Sequence, residues 1–129
     1  MTKKHLVLVV DNEIDICNFV KSFLEMRNID VVAAYHGDDA LKIMDHAVVD
    51  LVILDVVMRY ENEGVDFLPK IKQKSPRTKV VMITGVDDKE TIESCKQLGA
   101  DDYITKPLVL ESLEKTVLKH LKEVVTHKK

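Results

Sequence analysis

Five short runs of apolar, mostly β-branched residues recur along the chain, and segments with helical periodicity separate them. The runs lie at residues 6–10, 30–35, 51–54, 79–84 and 102–105. The first, third and fourth runs are almost continuously apolar, which is typical of parallel strands that are covered on both faces. The pattern therefore predicts five strands in a sheet with helices on both sides.

Apolar residues spaced three or four positions apart predict a helix after each strand. The expected apolar stripes are Ile14, Cys17, Val20 and Leu24; Ala40, Leu41 and Met44; Leu68 and Ile71; Ile92, Cys95 and Leu98; and Leu110, Leu113, Val117, Leu121 and Val124. Asp87 with Glu90 three residues later has the pattern of a capping box and predicts the start of the fourth helix, and Gly99 predicts its end. Strict alternation of strand and helix indicates an open, doubly wound α/β sheet, although periodicity does not give the strand order.

The size and composition of the chain are those of an ordinary globular domain. Of its 129 residues, 46% are hydrophobic and 32% are charged, and the formal net charge is -3. We expect a single domain over residues 1–129, with a core at about 4–124 and a basic tail at 125–129. So small a net charge gives no broad basic surface, and direct binding of nucleic acid by this domain is not expected.

The apolar run at 6–10 is too short for a signal peptide or a membrane span. Cys17 and Cys95 lie in predicted helices without a second ligand nearby, and they are interpreted as reduced core thiols. We therefore expect a cytoplasmic protein that does not contact a membrane. The five histidines share no metal-ligand spacing and are interpreted as surface residues: His5, His36, His46, His120 and His127.

Polar residues with chemical potential collect where the predicted strands end. They are Asp11, Asn12 and Glu13 after the first strand, Asp55 at the third, Thr84 at the fourth, and Lys106 with Pro107 after the fifth. In an open parallel sheet, ligands bind outside the carboxyl ends of the strands. Clustered carboxylates repel one another unless a cation lies among them, and a hard ion such as Mg²⁺ prefers oxygen ligands. A carboxylate can also attack phosphorus, while a lysine and a hydroxyl neutralise the phosphoryl oxygens.

Four segments together resemble the receiver domain of response regulators in two-component phosphorelays. They are VDNE at 10–13, DLVILDVVM at 50–58, ITG at 83–85 and GADDYITKPL at 99–108. The resemblance covers residues 4–124, roughly. It implies a flavodoxin-like, CheY-like three-layer sandwich whose five parallel strands have the order 2-1-3-4-5.

The resemblance also implies a role for each matching acidic position. Asp55 is expected to be the phosphoacceptor and a ligand of Mg²⁺. Asp11 is expected to hold Mg²⁺ through water, Asn12 to occupy the neighbouring metal position, and the backbone carbonyl of Val57 to be a direct metal ligand.

Three further positions complete the site that the resemblance implies. Thr84 and Lys106 are expected to bind the phosphoryl oxygens, and Tyr103 is expected to switch inward when Thr84 moves towards the phosphate. The peptide bond between Lys106 and Pro107 is expected to be cis. The domain would catalyse its own phosphorylation and dephosphorylation, and it is not expected to be an enzyme otherwise.

Partners also follow from the resemblance. The phosphodonor would be a phosphohistidine on a sensor histidine kinase or a phosphotransfer protein. The signal would leave through the face formed by the fourth helix, the fifth strand and the fifth helix, and a phosphorylation-dependent dimer is compatible with this arrangement. The sequence fits either a single-domain regulator or a segment of a longer one.

The sequence departs from the family pattern at two places. Position 12 is Asn where the family usually has an acid, so we expect a usable but weaker Mg²⁺ site. Arg59 replaces a usual proline, and the loop at 58–64 has one extra residue, so its conformation cannot be carried over. The two residues expected to flank the phosphate, Val57 and Val86, cannot hydrogen-bond a water, which predicts a long-lived phosphorylated state.

Two other classes of function stay open from the residues alone. A pseudo-receiver that signals without phosphate is favoured by Asn12, whereas Asp55, Thr84 and Lys106 argue against it. An enzyme on a similar sheet is the other alternative, either a flavin carrier or a phosphatase with an aspartate nucleophile. The flavin carrier needs a glycine-rich phosphate loop after the first strand, and the phosphatase needs a second aspartate where this chain has Glu13.

Overall fold

In the computed structural model, residues 4–85 and 89–127 are described, and within them five strands alternate strictly with five helices. The strands are β1 (Leu6–Val10), β2 (Asp30–Ala34), β3 (Leu51–Asp55), β4 (Lys79–Thr84) and β5 (Asp102–Thr105). The helices are α1 (Ile14–Glu25), α2 (Gly37–His46), α3 (Glu63–Lys74), α4 (Lys89–Gln97) and α5 (Leu110–His127). The predicted elements are confirmed, with β2 ending one residue earlier and β3 one residue later than expected.

All four strand pairings are parallel, and the strand order is β2-β1-β3-β4-β5, as the family resemblance implied. Val10 pairs with Ala34 on one side and Leu54 on the other. At the next strand boundaries Asp55 pairs with Ile83, and Thr84 pairs with Thr105. This register aligns the carboxyl ends of the strands, so the residues that follow them emerge at one edge of the sheet.

Helices cover both faces of this sheet, which makes the structure a three-layer sandwich. On one face, α1 and α5 pack against strand residues such as Val9 and Ile53. On the other face, α2, α3 and α4 pack against residues such as Leu8 and Leu54. Adjacent residues of β1 and β3 thus belong to opposite cores, and the continuous apolar runs follow from burial on both sides.

Three residues of the predicted helical stripes are exposed rather than buried: Ile14, Leu98 and Leu110. Ile14 and Leu110 are the first residues of α1 and α5, and Leu98 follows the last residue of α4. These three residues lie at the ends of their helices, outside the part that packs against the sheet. Helical periodicity assigns a residue to a face of its helix, but it does not tell where along the helix the sheet ends.

The end of α4 agrees with the prediction at Gly99. Its φ angle is +107°, which glycine adopts without strain, and its N–H donates to the carbonyl oxygen of Lys96. The proposed capping residue Asp87 and the flanking residue Val86 lie outside the described residues. Cys17 and Cys95 are buried free thiols, as expected of core residues.

The interpretation of His120 as a surface residue is wrong, since its relative exposure is only 4%. Its Nε2 lies 2.9 Å from Asp102 Oδ2 at the start of β5, and its Nδ1 lies 3.1 Å from Glu123 Oε1. Burial alone would raise the pKa of Asp102, but hydrogen bonds from His120 and from the Tyr103 N–H hold that pKa below its ordinary value. Of the expected basic tail at 125–129, residues 125–127 belong to α5, and residues 128–129 lie outside the described residues.

Gly64 is required by the close approach of α3 to the end of β3. A Cβ atom built there would lie 2.1 Å from the carbonyl oxygen of Asp55, a backbone atom of a central strand that cannot move aside cheaply. We expect Gly64→Ala to lower the free energy of unfolding by about 1–3 kcal/mol, measured by urea denaturation. Gly85→Ala is the matched control, because nothing lies within 4 Å of its added Cβ. Equal stability of the two variants would contradict the steric explanation.

Candidate functional site

Three of the polar side chains expected at the strand ends contact one another at the carboxyl edge of the sheet. Asp11 and Asp55 are 1% and 2% exposed, although both carry carboxyl groups. Asp11 follows β1 and Asp55 ends β3, and these strands are neighbours in the sheet. The Lys106 side chain reaches them from the end of β5, with its Nζ 3.2 Å from Asp55 Oδ2. The sequence-based expectation that these residues share one site agrees with this geometry.

The backbone around the site keeps Asp55 and Lys106 in place. The N–H of Val57 donates to Asp55 Oδ1 over 3.4 Å, a long hydrogen bond that turns the chain after β3. The N–H of Lys106 donates to the carbonyl oxygen of Thr84 over 2.8 Å, which extends the ladder between β4 and β5 by one residue. The Lys106–Pro107 peptide bond is cis, as expected.

Two buried oxygen atoms at this edge have no hydrogen-bond partner: Asp11 Oδ2 and Thr84 Oγ1. The other carboxyl oxygen of Asp11 is satisfied, since it accepts a hydrogen bond of 2.9 Å from the N–H of Glu13. A buried polar atom without a partner typically costs about 1–3 kcal/mol. These two atoms lie at the ends of β1 and β4, the two strands that flank β3, and both could bond a further polar or charged group at this edge.

Burial raises the pKa of both carboxyl groups. For Asp11, desolvation and the neighbouring charge of Asp55 outweigh the hydrogen bond from Glu13 and raise the pKa from 3.8 to about 6. For Asp55, desolvation also raises the pKa, and the ammonium group of Lys106 opposes that increase. Because one lysine does not balance two carboxylates, the site retains an unfavourable negative charge that a bound cation would offset.

The oxygen atoms near Asp11 and Asp55 fit a hard divalent cation such as Mg²⁺. The donor set combines these two carboxylates with the exposed Asn12, which follows Asp11, and the backbone of Val57, two residues after Asp55. In the described ranges, no group of three or more His, Cys, Asp or Glu side chains is placed to hold a metal ion. A cation here would therefore depend on neutral oxygens and retained water in addition to the two carboxylates.

Tyr103 lies on the same face of the sheet as Thr84. It pairs with Met82, whereas Thr84 pairs with Thr105, and side chains two residues apart share a face. The Tyr103 side chain is 39% exposed, and its ring centroid is 5.5 Å from Lys96 Nζ of α4. The residue thus contacts the helix through which the signal is expected to leave, and its role as a switch stays a prediction.

Glu63, the first residue of α3, was not singled out from the sequence. It is completely buried and pairs with Arg59 in the loop after β3. The four-residue spacing of opposite charges was a weak signal for this pair. The burial of Glu63 depends on a contact with the distant start of α2, which no local pattern indicates.

Comparisons with known proteins agree on one family. The family model described as the response regulator receiver domain matches residues 7–118. The cyclic di-GMP phosphodiesterase of Thermotoga maritima is 31% identical over 121 residues, which cover 94% of this chain and 32% of that protein. The transcriptional regulatory protein ZraR of Salmonella typhimurium is 35% identical over 115 residues, which cover 89% of this chain and 26% of that protein.

Solved structures extend the similarity to three dimensions. The receiver domain protein (CheY-like) from Methanospirillum hungatei superposes with a TM-score of 0.90 at 26% identity, covering 97% of this chain and 99% of that one. The chain therefore spans nearly all of that protein but only about a third and a quarter of the two curated relatives. No helix in the described part of the chain is both long and apolar enough to cross a membrane.

The raised pKa of Asp11 predicts a pH-dependent effect of Asp11→Asn in metal-free protein. Because the pKa is about 6 in the folded state and 3.8 ordinarily, ionised Asp11 destabilises the fold above about pH 6, and this penalty disappears towards pH 4. We expect Asp11→Asn to raise the free energy of unfolding by on the order of 2 kcal/mol near neutral pH, with the gain shrinking as the pH falls. Urea denaturation over a pH series measures this, and the exposed Asp15→Asn is the control. A gain independent of pH would contradict the assignment.

Proposed function

This chain belongs to the response regulator receiver domain family, and from that premise we propose that it accepts a phosphoryl group on Asp55 in a Mg²⁺-dependent reaction. The observation that carries the proposal is a nearly inaccessible carboxylate at the end of β3 whose Oδ2 lies 3.2 Å from Lys106 Nζ. Asp11, with one buried oxygen free of hydrogen bonds, supplies the second carboxylate of the site.

In the proposed reaction an oxygen of Asp55 attacks the phosphorus atom of a phosphohistidine on the partner. A P–O bond forms as the P–N bond breaks, and the electron pair of that bond stays on the imidazole nitrogen, which takes up a proton. Lys106 stabilises the charge on the phosphoryl oxygens, and the unpaired Thr84 hydroxyl can donate a hydrogen bond to one of them. Catalysis thus consists of positioning and charge neutralisation.

Receiver domains of this family generally bind Mg²⁺. Here the cation would be held by Asp11, Asp55, Asn12 and the Val57 carbonyl, and when bound it would neutralise charge on the phosphoryl group. Because Asn12 is neutral, this set of ligands carries one negative charge fewer than a set with an acid at position 12. Asn12 is also the one observation that favours the alternative function, an interaction module that signals without phosphate.

The proposed output is a change on the face formed by α4, β5 and α5. When Thr84 bonds the phosphoryl group, Tyr103 can move from its position near Lys96 towards the space that Thr84 leaves. Receiver domains interact with histidine kinases and downstream effectors, and the kinase or phosphotransfer partner of this chain, its effector and a phosphorylation-dependent dimer are proposals. The cytoplasmic location stays a prediction.

Phosphorylation should depend on Asp55 alone. We expect Asp55→Asn to abolish labelling by acetyl phosphate in the presence of Mg²⁺, because the amide is not a nucleophile and cannot form an acyl phosphate. Intact-mass spectrometry measures the added phosphoryl group. Asp15→Asn, which removes an exposed carboxylate of α1, should be labelled like the wild type. Labelling of Asp55→Asn would refute the assignment, and an unlabelled wild type would favour the phosphate-independent module.

Restoring an acid at position 12 should tighten Mg²⁺ binding. Asn12→Asp adds a unit negative charge next to a divalent cation, which contributes about 2 kcal/mol even at the dielectric constant of water, equivalent to roughly thirtyfold in affinity. Titration calorimetry measures the dissociation constant. Asn18→Asp adds the same charge at an exposed position of α1 and serves as the control. Equal affinities of Asn12→Asp and the wild type would contradict the assignment of Asn12 to the metal site.

A further inference from the structure

Glu63 is held by an unusually complete set of hydrogen bonds for a buried carboxylate. Its Oε2 accepts a bond of 2.9 Å from the N–H of Gly37, and its Oε1 accepts one of 2.9 Å from the N–H of Arg59. The guanidinium group of Arg59 donates as well, with Nη2 at 2.6 Å and Nε at 3.0 Å from Oε2. Burial alone would raise the pKa of Glu63, but these donors outweigh it and hold the pKa below its ordinary value.

This network joins three parts of the chain that are distant in sequence. Glu63 begins α3, Arg59 lies in the loop after β3, and Gly37 begins α2. Arg59 also donates from Nη2 to Asp38 Oδ2 over 3.2 Å, so the first two residues of α2 are bonded to Glu63 and to Arg59, respectively. The helices are tightly packed at this point, since a Cβ at Gly37 would lie 2.3 Å from the ring of Phe67.

The same network fixes one end of the segment that leads away from Asp55. At the other end, the N–H of Val57 is bonded to Asp55 Oδ1, and the N–H of Gly64 donates to the carbonyl oxygen of Val56 over 2.9 Å. Val57, whose carbonyl is the proposed metal ligand, therefore lies between the phosphoacceptor and the anchored Arg59. Within the loop, the N–H of Met58 donates to the carbonyl oxygen of Tyr60.

The Glu63 side chain is completely buried, whereas the Arg59 side chain is 43% exposed. The pair is a poor means of stabilising the fold, because desolvation of the buried carboxylate opposes its attraction to the guanidinium group. A planar guanidinium that donates to a carboxylate through several N–H groups does, however, define the orientation of the backbone that carries it. Arg59 stands where the family pattern usually has a proline, a residue that would restrict φ but could not donate its N–H to Glu63.

We propose that Arg59 and Glu63 are positioning residues that hold the backbone of Val57 at the metal site by anchoring the loop to the start of α2. The inference rests on the proposed function, since it assumes that Mg²⁺ binds beside Asp55. Neither side chain contacts the metal or the phosphoryl group; both act through the loop. In this arrangement the amino terminus of α2 helps to hold the loop beside the metal site.

The test separates positioning from stability by removing first one partner and then both. Arg59→Met leaves the Glu63 carboxylate buried without its cation, so this variant should lose both stability in urea and Mg²⁺ affinity. The double variant Arg59→Met/Glu63→Gln removes the unpaired charge as well, so its stability should recover relative to the single variant. Its Mg²⁺ affinity should stay about tenfold or more below that of the wild type, the loss typical of residues that orient metal ligands.

Two further variants complete the design. Arg59→Lys keeps the charge without the planar fork, and its Mg²⁺ affinity should lie between those of the wild type and Arg59→Met. Arg27→Met breaks another arginine–glutamate pair, with Glu114 of α5, and it should leave Mg²⁺ affinity unchanged. Amide exchange of Gly37, followed by NMR in the metal-free protein, should accelerate in Arg59→Met but not in Arg27→Met.

The outcomes distinguish this inference from the proposed function. Wild-type protein that neither binds Mg²⁺ nor becomes labelled at Asp55 would overturn the proposed function and the inference with it. Wild-type protein that does both, together with a double variant of unchanged Mg²⁺ affinity, would overturn the inference alone. An equal loss of affinity in Arg27→Met and Arg59→Met would also overturn it, because the effect would then follow general stability.

Discussion

Two carboxyl groups are buried side by side at the end of adjacent strands, and the ammonium group of Lys106 reaches only one of them closely, at 3.2 Å from Asp55 Oδ2. The parallel pairing of β1 with β3 imposes this proximity, because it ends both strands at the same edge. Desolvation by burial is the main cause of the raised pKa values of Asp11 and Asp55, and the neighbouring charge of Asp55 adds to the increase for Asp11. The fold therefore holds two carboxyl groups and one ammonium group at this edge, and any reaction there takes place beside an excess of negative charge.

Burying two carboxyl groups lowers the stability of the fold, so other parts of the structure must offset this cost. The backbone of the loop after β3 must also stay in place. The two apolar cores on either face of the sheet provide the stability, since they bury nearly the whole of β1, β3 and β4. Gly64 and the Arg59–Glu63 pair provide the close, directed contacts that hold the loop after β3. Packing and polar contacts therefore have separate tasks: the first holds the strands, and the second holds the segment between Asp55 and α3.

The strands, the helices and the meeting of Asp11, Asp55 and Lys106 could be predicted from the sequence, because periodicity and parallel topology are local or follow from simple rules. His120 could have been found, since it lies three residues after Val117 and four before Val124 on the buried face of α5, but its polarity led to the wrong interpretation. The burial of Glu63 could not be predicted, because it depends on a contact 26 residues away in sequence. The roles proposed for Asn12, Val57 and Tyr103 rest on the family resemblance, because each involves a cation or a phosphoryl group rather than a contact within the chain.

The helices α4 and α5, which lie on opposite faces of the sheet, bury very different numbers of residues. Cys95 is the one fully buried residue of α4, whereas α5 buries Leu113, Val117, His120, Leu121 and Val124. Arg27, which follows the end of α1, also stacks on Phe23 of that helix and pairs with Glu114 of α5, and so it links those two helices. Less packing free energy therefore holds α4 in place than holds α5. Displacing α4 against the sheet would consequently expose far less apolar surface than displacing α5.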